Sequence, residues 1–446
     1  MTVGAIVSGE PCHAPYLKSL SSTHRHFSRF LISNSMNTQS ASTTASQTVA
    51  VAQRAPVLLF TITVAVLITN LFGPQTLVGL MASSFGLSTA ASGTMAMIAT
   101  IGYSVGLFFV VPLADLIENR RLITGMLTSA SLCATGVVLA PNAMVLFPLL
   151  FILGASCTVI QILMPTAAAM TEPAHRGRVL GDIMSGLMVG ILLSRPAASF
   201  LAGIWSWKGF FVASAICSAL LCATLAIRLP ERRPATILTY GALIGSLWEL
   251  IRNEPVLLKR SIMAAIVMAA FNIFWTSIVF VLGAAPFHLE QHGIAIFALV
   301  GAGGVVVTPL VGRMADKGRG QRATNIAHVV LFLGFGAASI GGLVFSLPIY
   351  LLLGLLGLSA VTLDVGVLGN QTVGRYMINL LRPEARGRIN AIYVGVFFVG
   401  GAIGSTAAGM LWATGGWAAI CLGGAMCSLL SFIADCVFRP GSPLEK

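Results

Sequence analysis

Two ionisable side chains lie deep inside long apolar stretches of the sequence. Asp364 lies 16 residues after Pro348 (364 − 348), and Arg195 lies 16 residues after Val179 (195 − 179). If each stretch is a helix, this separation places the charge ~24 Å from the helix start. An ionised group in the middle of a bilayer costs at least ~2.5 kcal/mol unless it is paired or hydrated. Both residues are therefore candidates for a functional site within a membrane.

Asp364 has the chemistry of a proton carrier, because a carboxyl group can bind a proton on one side of a membrane and release it on the other. A structural ion pair is the alternative for both residues, as is a carboxyl group bonded to its own helix. Direct pairing of Arg195 with Asp364 is a hypothesis that follows from their similar depth.

The composition indicates helices that cross a membrane. Of the 446 residues, 56% are hydrophobic and 9% are charged, against roughly 25% charged in soluble domains. Each apolar run is long enough to cross ~30 Å of hydrocarbon as a helix. The predicted spans, numbered 1 to 12, are residues 57–80, 93–113, 122–140, 143–170, 179–204, 208–228, 260–284, 294–311, 323–346, 347–372, 389–413 and 416–437. The predicted fold class is an all-α membrane protein.

The basic residues predict the orientation of these spans. Of the 26 Lys and Arg residues, all but Arg195 and Lys208 fall in termini and loops on one face. Cations in short loops stay on the cytoplasmic side, so both termini are predicted to be cytoplasmic. The net charge of +12 then follows from topology and contact with anionic lipid headgroups. No nucleic-acid partner is needed to explain it.

The cytoplasmic loops repeat along the chain. PAHRGR after span 4 returns as PEARGR after span 10, 210 residues later (383 − 173). PLADLIENRR after span 2 resembles GRMADKGRGQR after span 8, and Ser206–Trp207 matches Gly416–Trp417. Such parallel repeats indicate two six-helix bundles with pseudo-symmetry about an axis along the membrane normal. The predicted domains are a disordered cytoplasmic extension (1–56), the N-terminal bundle (57–228), a cytoplasmic linker (229–259), the C-terminal bundle (260–437) and a cytoplasmic tail (438–446).

Charged residues in the repeated loops form a candidate cytoplasmic gate. A carboxylate at a helix end can bond to a neighbouring helix N-terminus and pair with nearby cations, which would latch the bundles together. The alternative is a simple topology signal of positive charge on solvated turns. The candidate gate residues are Asp115, Arg120, Arg121, Arg176, Arg178, Gly312, Asp316, Lys317, Arg319, Arg386 and Arg388.

These loops carry a resemblance to a known family. The loops after spans 2 and 8 resemble the signature of the major facilitator superfamily, although Val111 and Leu116 depart from it in the first copy. PAHRGRVLGDIMSGLMVGILLSRP and LDVGVLGNQ, together with PEARGR, resemble bacterial proton-coupled efflux permeases of the drug, arabinose and purine-nucleoside exporter type. Leu150 stands where such drug exporters usually place an Arg, so that residue's proton role is not transferred.

The resemblance implies that spans 1, 4, 7 and 10 line a central cavity. Polar side chains on these spans are then expected to meet a substrate, although each can equally serve as a bond between helices. Gln161 and Gln371 are separated by the same offset as the basic turns (371 − 161), which matches the repeat. The expected solute is neutral or weakly polar. The candidate cavity residues are Asn70, Gln75, Gln161, Asn272, Trp275, Asn370 and Gln371.

Glycines in spans 5 and 11 are expected to allow close backbone approach where the two bundles rock over each other. They are Gly186, Gly190, Gly400, Gly404 and Gly409.

Taken together, the residues and the resemblance predict a secondary active transporter of the bacterial inner membrane. We expect alternating access that moves a small organic solute, with proton-coupled efflux by antiport. An importer or symporter of the same fold and a non-transporting membrane sensor are the alternatives. The expected partners are the solute, protons and the lipid bilayer, and the chain is expected to be a monomer.

No enzymatic activity, cofactor or metal site is predicted. His288 and His292 flank Glu290 in a predicted outer loop, but no further ligand is evident. The Ser- and Thr-rich segment 1–50 lacks a signal peptide core, and Met36 is a second candidate translation start. The composition of this segment is also compatible with an organellar transit segment.

Overall fold

A computed structural model describes residues 56–172, 175–231, 239–344, 346–382 and 385–437. The predictions made for residues 1–55 and 438–446, for part of the linker and for the start of each basic turn lie outside this described part. Within it the chain is almost entirely helical.

The span numbers are kept here for the observed helices. Spans 1 to 6 are Val57–Phe72 with Gly73–Thr76 and Val78–Ser84, Thr89–Phe109 with Val111–Asp115, Asn119–Leu139, Ala143–Ser156 with Val159–Ala169, Arg176–Trp205, and Trp207–Arg228. Spans 7 to 10 are Pro255–Gly283, Gln291–Gly301 with Ala302–Val307 and Thr308–Asp316, Gly320–Leu343, and Ile349–Asn379. Spans 11 and 12 lie within Arg386–Val437, and the linker contains Tyr240–Asn253.

The described residues contain 10 helices that are long and apolar enough to cross a membrane. One of them, Arg386–Val437, has 52 residues and would be ~78 Å long if straight. It turns at Gly416, where φ is 57° and ψ is −145°, so it makes two crossings. Span 8 is divided into three short helical pieces, which makes a further crossing. The all-helical fold with twelve spans in two pseudo-symmetric bundles is confirmed.

The turn between spans 5 and 6 matches the turn between spans 11 and 12. Ser206 and Gly416, which are related by the repeat offset (416 − 206), both have positive φ, at 77° and 57°. The tryptophan that follows each of them is buried. Trp207 Nε1 donates to Ser84 Oγ at 2.9 Å, and Trp417 Nε1 donates to the Ala338 carbonyl at 2.8 Å. The sequence repeat is therefore a structural repeat.

The bundles meet along two seams, one between spans 2 and 11 and one between spans 5 and 8. At the first seam, a side chain on Gly93 would collide with the backbone of Ser405 and Gly409. At the second, a side chain on Gly203 would meet the His292 ring. Small residues allow the close approach in both places.

The span 5 and span 11 glycines allow close backbone approach, as expected, but for most of them the approach is within one bundle and not between the bundles. Gly186 and Gly190 pack against span 1, and Gly400 and Gly404 pack against span 7. Each pair therefore contacts a helix of its own bundle. Gly409 alone of the five faces the other bundle, where it meets Gly93.

The linker contains an amphipathic helix. In Tyr240–Asn253 the buried side chains are Leu243, Leu247 and Leu250. Tyr240 Oη donates to the Phe109 carbonyl at 2.8 Å, which ties the start of this helix to the end of span 2. The predicted domain boundaries stay predictions.

Candidate functional site

Arg195 lies on span 5 and is 4% exposed. Its Nε and Nη2 atoms both donate to Gln75 Oε1, at 3.2 and 3.1 Å. Gln75 lies in a short 3₁₀ turn over Gly73–Thr76, where span 1 departs from α-helical geometry next to Pro74. The break in span 1 therefore places a carbonyl oxygen against the buried guanidinium.

Aromatic rings surround the rest of the Arg195 guanidinium. Its Cζ atom lies 4.1 Å from the ring centre of Trp275, 5.0 Å from Phe271 and 5.4 Å from Phe72. A cation over an aromatic face gains on the order of 0.5 to 2 kcal/mol, with the larger values where water is excluded. The rings and the amide together stabilise this charge without a direct carboxylate partner.

An amide chain connects Arg195 to the C-terminal bundle. Gln75 Nε2 donates to Asn272 Oδ1 at 2.5 Å, and Asn272 Nδ2 donates to the Met268 carbonyl at 3.1 Å. Ser405 Oγ also donates to Asn272 Oδ1, at 3.4 Å. The chain passes from spans 5 and 1 to spans 7 and 11, so a displacement of one bundle relative to the other must strain or break it.

Asp364 on span 10 accepts a hydrogen bond at Oδ1 from Trp275 Nε1, at 3.1 Å. The same indole is stacked on Arg195, so Trp275 lies between the two charges. Among the described residues, no ion pair within 4.0 Å joins Arg195 to Asp364. In this conformation the hypothesis of direct pairing gives way to an indirect link through Trp275.

Span 8 is irregular where it passes Asp364. A Cβ on Gly304 would lie 2.5 Å from the Asp364 Cβ atom and 3.0 Å from the Val365 nitrogen. Gly304 lies in the 3₁₀ piece Ala302–Val307, and a 3₁₀ stretch within a helix often marks a hinge. The proton-carrying candidate is therefore packed against the segment of span 8 that departs from α-helical geometry.

A cavity lies between the two bundles beside these charges. Its volume is about 70 Å³, so the cavity is narrow in this conformation. Its lining is Ile68, Phe72, Tyr103, Gln161, Leu187, Met188, Ile191, Leu192, Arg195, Met268, Phe271, Ala298, Asp364, Val367, Leu368, Gln371, Arg375, Val394, Phe397 and Phe398. Apolar and aromatic walls with a few charged and amide groups are typical of small-molecule sites.

The candidate cavity residues divide into three groups. Gln161 and Gln371 line the cavity, and Gln161 Nε2 donates to Tyr103 Oη at 3.2 Å. Gln75, Asn272 and Trp275 belong to the network behind the cavity wall. Asn70 accepts from Ser214 at 2.7 Å and Asn370 bonds to His328 at 2.8 Å, so these two join neighbouring helices.

Arg375 was missed because the predicted span 10 ended at residue 372 and counted it among the loop cations. The helix continues to Asn379, and Arg375 lines the cavity. Asp364, Gln371 and Arg375 are spaced as i, i+7 and i+11 along the helix, so they share one face. That spacing is the sequence signal that would have placed Arg375.

The candidate gate residues of the N-terminal bundle have partners nearby. Arg120 pairs with Glu231 at 3.4 Å, and Arg121 pairs with Glu118 at 3.1 Å. Asp115 is exposed and interacts electrostatically with Arg388 of the other bundle. That interaction is the kind that the predicted latch requires, and the latch itself stays a prediction.

The other gate residues are more open. Asp316, Lys317 and Arg319 are exposed, as is Arg178, and a side chain at Gly312 would meet only open space. Arg176 Nε donates to the Thr171 carbonyl, and Arg386 Nε donates to the Asn379 carbonyl, each at 3.1 Å. Each of these two arginines therefore bonds to a carbonyl at, or just beyond, the end of the span that precedes it.

A second buried polar cluster lies in the C-terminal bundle, away from the cavity. Asp435 of span 12 is fully buried, with Lys259 Nζ and Arg260 Nη1 each 3.7 Å from its Oδ1 atom. Gln321 also donates to Asp435, and Arg260 Nη2 donates to Gln321 at 3.3 Å. The partners of Asp435 lie far away in sequence, so no local pattern identifies this cluster.

Comparison with known proteins agrees with this geometry. The family model described as Major Facilitator Superfamily matches residues 58–370. The chain is 34% identical to the "Putative uncharacterized transporter YgaY" of Escherichia coli K12 over 382 residues, which cover 84% of this chain and 94% of that protein. It is 24% identical to the "Chloramphenicol resistance protein" of Streptomyces lividans over 289 residues, 63% of this chain and 72% of that protein.

Solved structures show the same fold at low sequence identity. A crystal structure of a mutant of the nucleoside transporter NupG superposes with a TM-score of 0.67 at 14% identity, over 86% of this chain and 100% of that one. A bacterial homologue of the human lysosomal transporter Spinster superposes with a TM-score of 0.60 at 16% identity, over 86% and 93%.

Proposed function

The chain belongs to the Major Facilitator Superfamily and is a membrane transporter, and we propose that it exports a small organic solute in exchange for protons. The solute occupies the cavity between the bundles, and Asp364 carries the proton. The cavity opens to the two sides of the bacterial inner membrane in turn. The observation that carries this proposal is the position of Asp364 as the one carboxylate among the described cavity-lining residues.

The geometry supports a coupling role for Asp364. Loss of its negative charge on protonation weakens the bond from Trp275 and removes the attraction toward Arg195 behind the indole. Arg195 in turn is bonded through Gln75 to Asn272, which joins the two bundles. We assign the protonated and the unprotonated form of Asp364 to conformations that open to opposite sides of the membrane. A bound proton shifts the equilibrium between these conformations only if it binds one of them more tightly than the other.

Efflux is favoured by the similarity to a relative named for chloramphenicol resistance. A second candidate is an importer in which the solute and the proton travel together. It is favoured by the charge of the cavity, where Arg195 and Arg375 outnumber Asp364. If the solute is anionic, protonation of Asp364 strengthens its binding, because a repelling charge is removed.

Everted membrane vesicles with an acidic lumen test the proposal through a pH-sensitive dye. Addition of an exported solute, with chloramphenicol and nucleosides among the compounds tried, should make the lumen more alkaline as protons leave in exchange. Asp364→Asn should abolish this response, whereas Asp182→Asn, which removes an exposed carboxylate of span 5, should retain it.

An equal response from Asp364→Asn and the wild type would rule out the assigned proton site. Solute-dependent proton movement in the opposite sense would support the importer. Solute binding without proton or solute movement would contradict transport and support a sensor.

A further inference from the structure

One guanidinium at the cavity has no counter-ion within the described part of the chain. Arg375 lines the cavity, yet its buried Nε atom has no hydrogen-bond partner. No ion pair within 4.0 Å joins it to a carboxylate among the described residues. We propose that Arg375 binds the acidic group of an organic anion, so that the solute of the transporter proposed above, whether it is exported in exchange for protons or imported with them, is an amphipathic organic acid.

The need for a partner follows from the cost of desolvating a charge. Arg375 is partly buried, and an ion that loses its hydration without compensation costs up to several kcal/mol, as an order of magnitude. Tyr393 and Tyr103 are near enough to Arg375 to interact with it, but a phenol is ordinarily uncharged at neutral pH and supplies no counter-ion. Tyr393 is fully buried, and its hydroxyl has no hydrogen-bond partner either. A carboxylate would satisfy the guanidinium, which binds planar oxyanions through two parallel bonds.

Arg195 shows what a compensated guanidinium looks like in the same cavity. It has two hydrogen bonds to Gln75 and three aromatic rings within 5.4 Å of Cζ. Arg375 has no corresponding hydrogen bonds or ring contacts within the described part of the chain. The two arginines therefore have different roles, with Arg195 held by the protein and Arg375 open to a ligand.

The shape of the cavity sets the rest of the solute. Asp364 and Arg375 both line the cavity, and they lie about three turns apart on one face of span 10, ~16 Å along the helix axis. Between these ends the lining includes Phe397 and Phe398 with the apolar side chains of Val367 and Leu368. An acid with an aromatic or aliphatic body would place its anionic group at Arg375 and its body along this wall.

The position of Arg375 also argues against a simple orientation signal. Its counterpart in the N-terminal bundle, at the repeat offset (375 − 210), is Pro165 on span 4. The basic turns after spans 4 and 10 carry their own cations, Arg176 and Arg386, at matching positions. The orientation in the membrane is therefore encoded without Arg375. The additional charge at the cavity comes from the C-terminal bundle and has no counterpart in the N-terminal bundle.

The test measures binding to the purified full-length protein in neutral detergent. The probes are 4-phenylbutyrate and 8-phenyloctanoate, each compared with its uncharged primary amide. In the wild type, at least one carboxylate should bind about tenfold more tightly than its amide, a difference of ~1.4 kcal/mol. Arg375→Gln should remove that preference, and Arg375→Lys should retain part of it. Arg228→Gln removes an exposed cation at the end of span 6 and should leave the preference intact.

The wild-type comparison needs no substitution, so it decides the matter even if a variant fails to fold. Equal or undetectable binding of both carboxylates and their amides overturns the proposal. A preference for the carboxylate over its amide that persists in Arg375→Gln also overturns the proposal. If the substitution changes only the affinity for phosphatidylglycerol in lipid nanodiscs, Arg375 holds a lipid headgroup and the solute assignment is wrong.

The outcome is separable from that of the transport proposal. Asp364→Asn should abolish proton movement and still bind the carboxylate in preference to the amide. Anion binding without proton-coupled flux in the wild type would contradict the transport proposal alone. Proton-coupled flux of a neutral solute without any carboxylate preference would contradict the anion site alone.

Discussion

Spans 4 and 10 occupy equivalent places in the two bundles, but they position different chemistry. Both carry a cavity glutamine, Gln161 and Gln371, at the repeat offset (371 − 161). Span 4 is interrupted between Ser156 and Val159, whereas span 10 runs unbroken as Ile349–Asn379. The span 4 counterparts of Asp364 and Arg375 are Gly154 and Pro165. The repeat therefore maintains the helical frame, while the carboxylate proposed to carry the proton lies in one bundle only.

The far ends of spans 6 and 12 differ in the same way. Asp435 is fully buried among cations, and its counterpart at the repeat offset (435 − 210) is Leu225, which is also fully buried. The N-terminal bundle closes this position with apolar packing, and the C-terminal bundle closes it with ions. The ionic arrangement of span 12 can therefore be replaced experimentally by the apolar arrangement of span 6.

The largest expected effect comes from giving span 12 the residue of span 6. Asp435→Leu should lower the free energy of unfolding by ~3 to 5 kcal/mol, because Arg260 and Lys259 lose a buried counter-charge. Thermal unfolding in detergent measures the change. Leu225→Met, a change of similar volume, is the matched control and should cost less than ~1.5 kcal/mol.

A triple variant sharpens that comparison. Lys259→Met and Arg260→Leu added to Asp435→Leu should recover most of the lost stability, since apolar side chains can replace a buried ion cluster. If the single Asp435→Leu variant unfolds at the wild-type temperature, the cluster does not stabilise the C-terminal bundle.

A smaller loss is expected where the two bundles are joined. Gln75→Leu leaves the guanidinium of Arg195 and the carbonyl of Asn272 without their partner. The expected cost is ~2 to 3 kcal/mol, since unsatisfied buried groups lose their full desolvation energy. Gln371→Leu, at the cavity surface, is the control and should change the unfolding temperature little. Equal effects of the two substitutions would contradict a special role for the amide chain.

The smallest effect concerns the matched turns. Ser206 has φ 77° and ψ 166°, a region that glycine occupies easily and that costs other residues ~1 to 3 kcal/mol. Ser206→Gly should therefore raise stability by about 1 kcal/mol, and Gly416→Ser should lower it by a similar amount. Opposite shifts in the unfolding temperature are the expected result. Shifts of the same sign would show that the two turns are not equivalent.

Local signals in the sequence predicted the fold well. Runs of apolar residues, basic turns and the repeated Trp207 and Trp417 each report on their own neighbourhood, so spans and repeats follow directly. Arg375 was lost because the prediction ended span 10 about two turns before Asn379. The boundary of an apolar run is set by composition, whereas the helix continues as long as its backbone bonds are satisfied.

The site required contacts that no local pattern reveals. Gln75 lies on span 1 and Arg195 on span 5, while Arg260 and Asp435 come from the two ends of the C-terminal bundle. The depth of Arg195 and Asp364 within their spans correctly indicated a buried site. The indole that lies between them comes from span 7, which neither position predicts. Only the packing of the two bundles brings Trp275 to that place.

The position of Trp275 has a practical consequence. Its ring lies on a guanidinium, and its N–H bonds to the carboxylate of Asp364. Indole emission is sensitive to the local electric field, so the fluorescence of this residue should change whenever Asp364 gains or loses a proton. The transporter thus carries its own optical probe of coupling, which can be read in single-tryptophan variants without any attached dye.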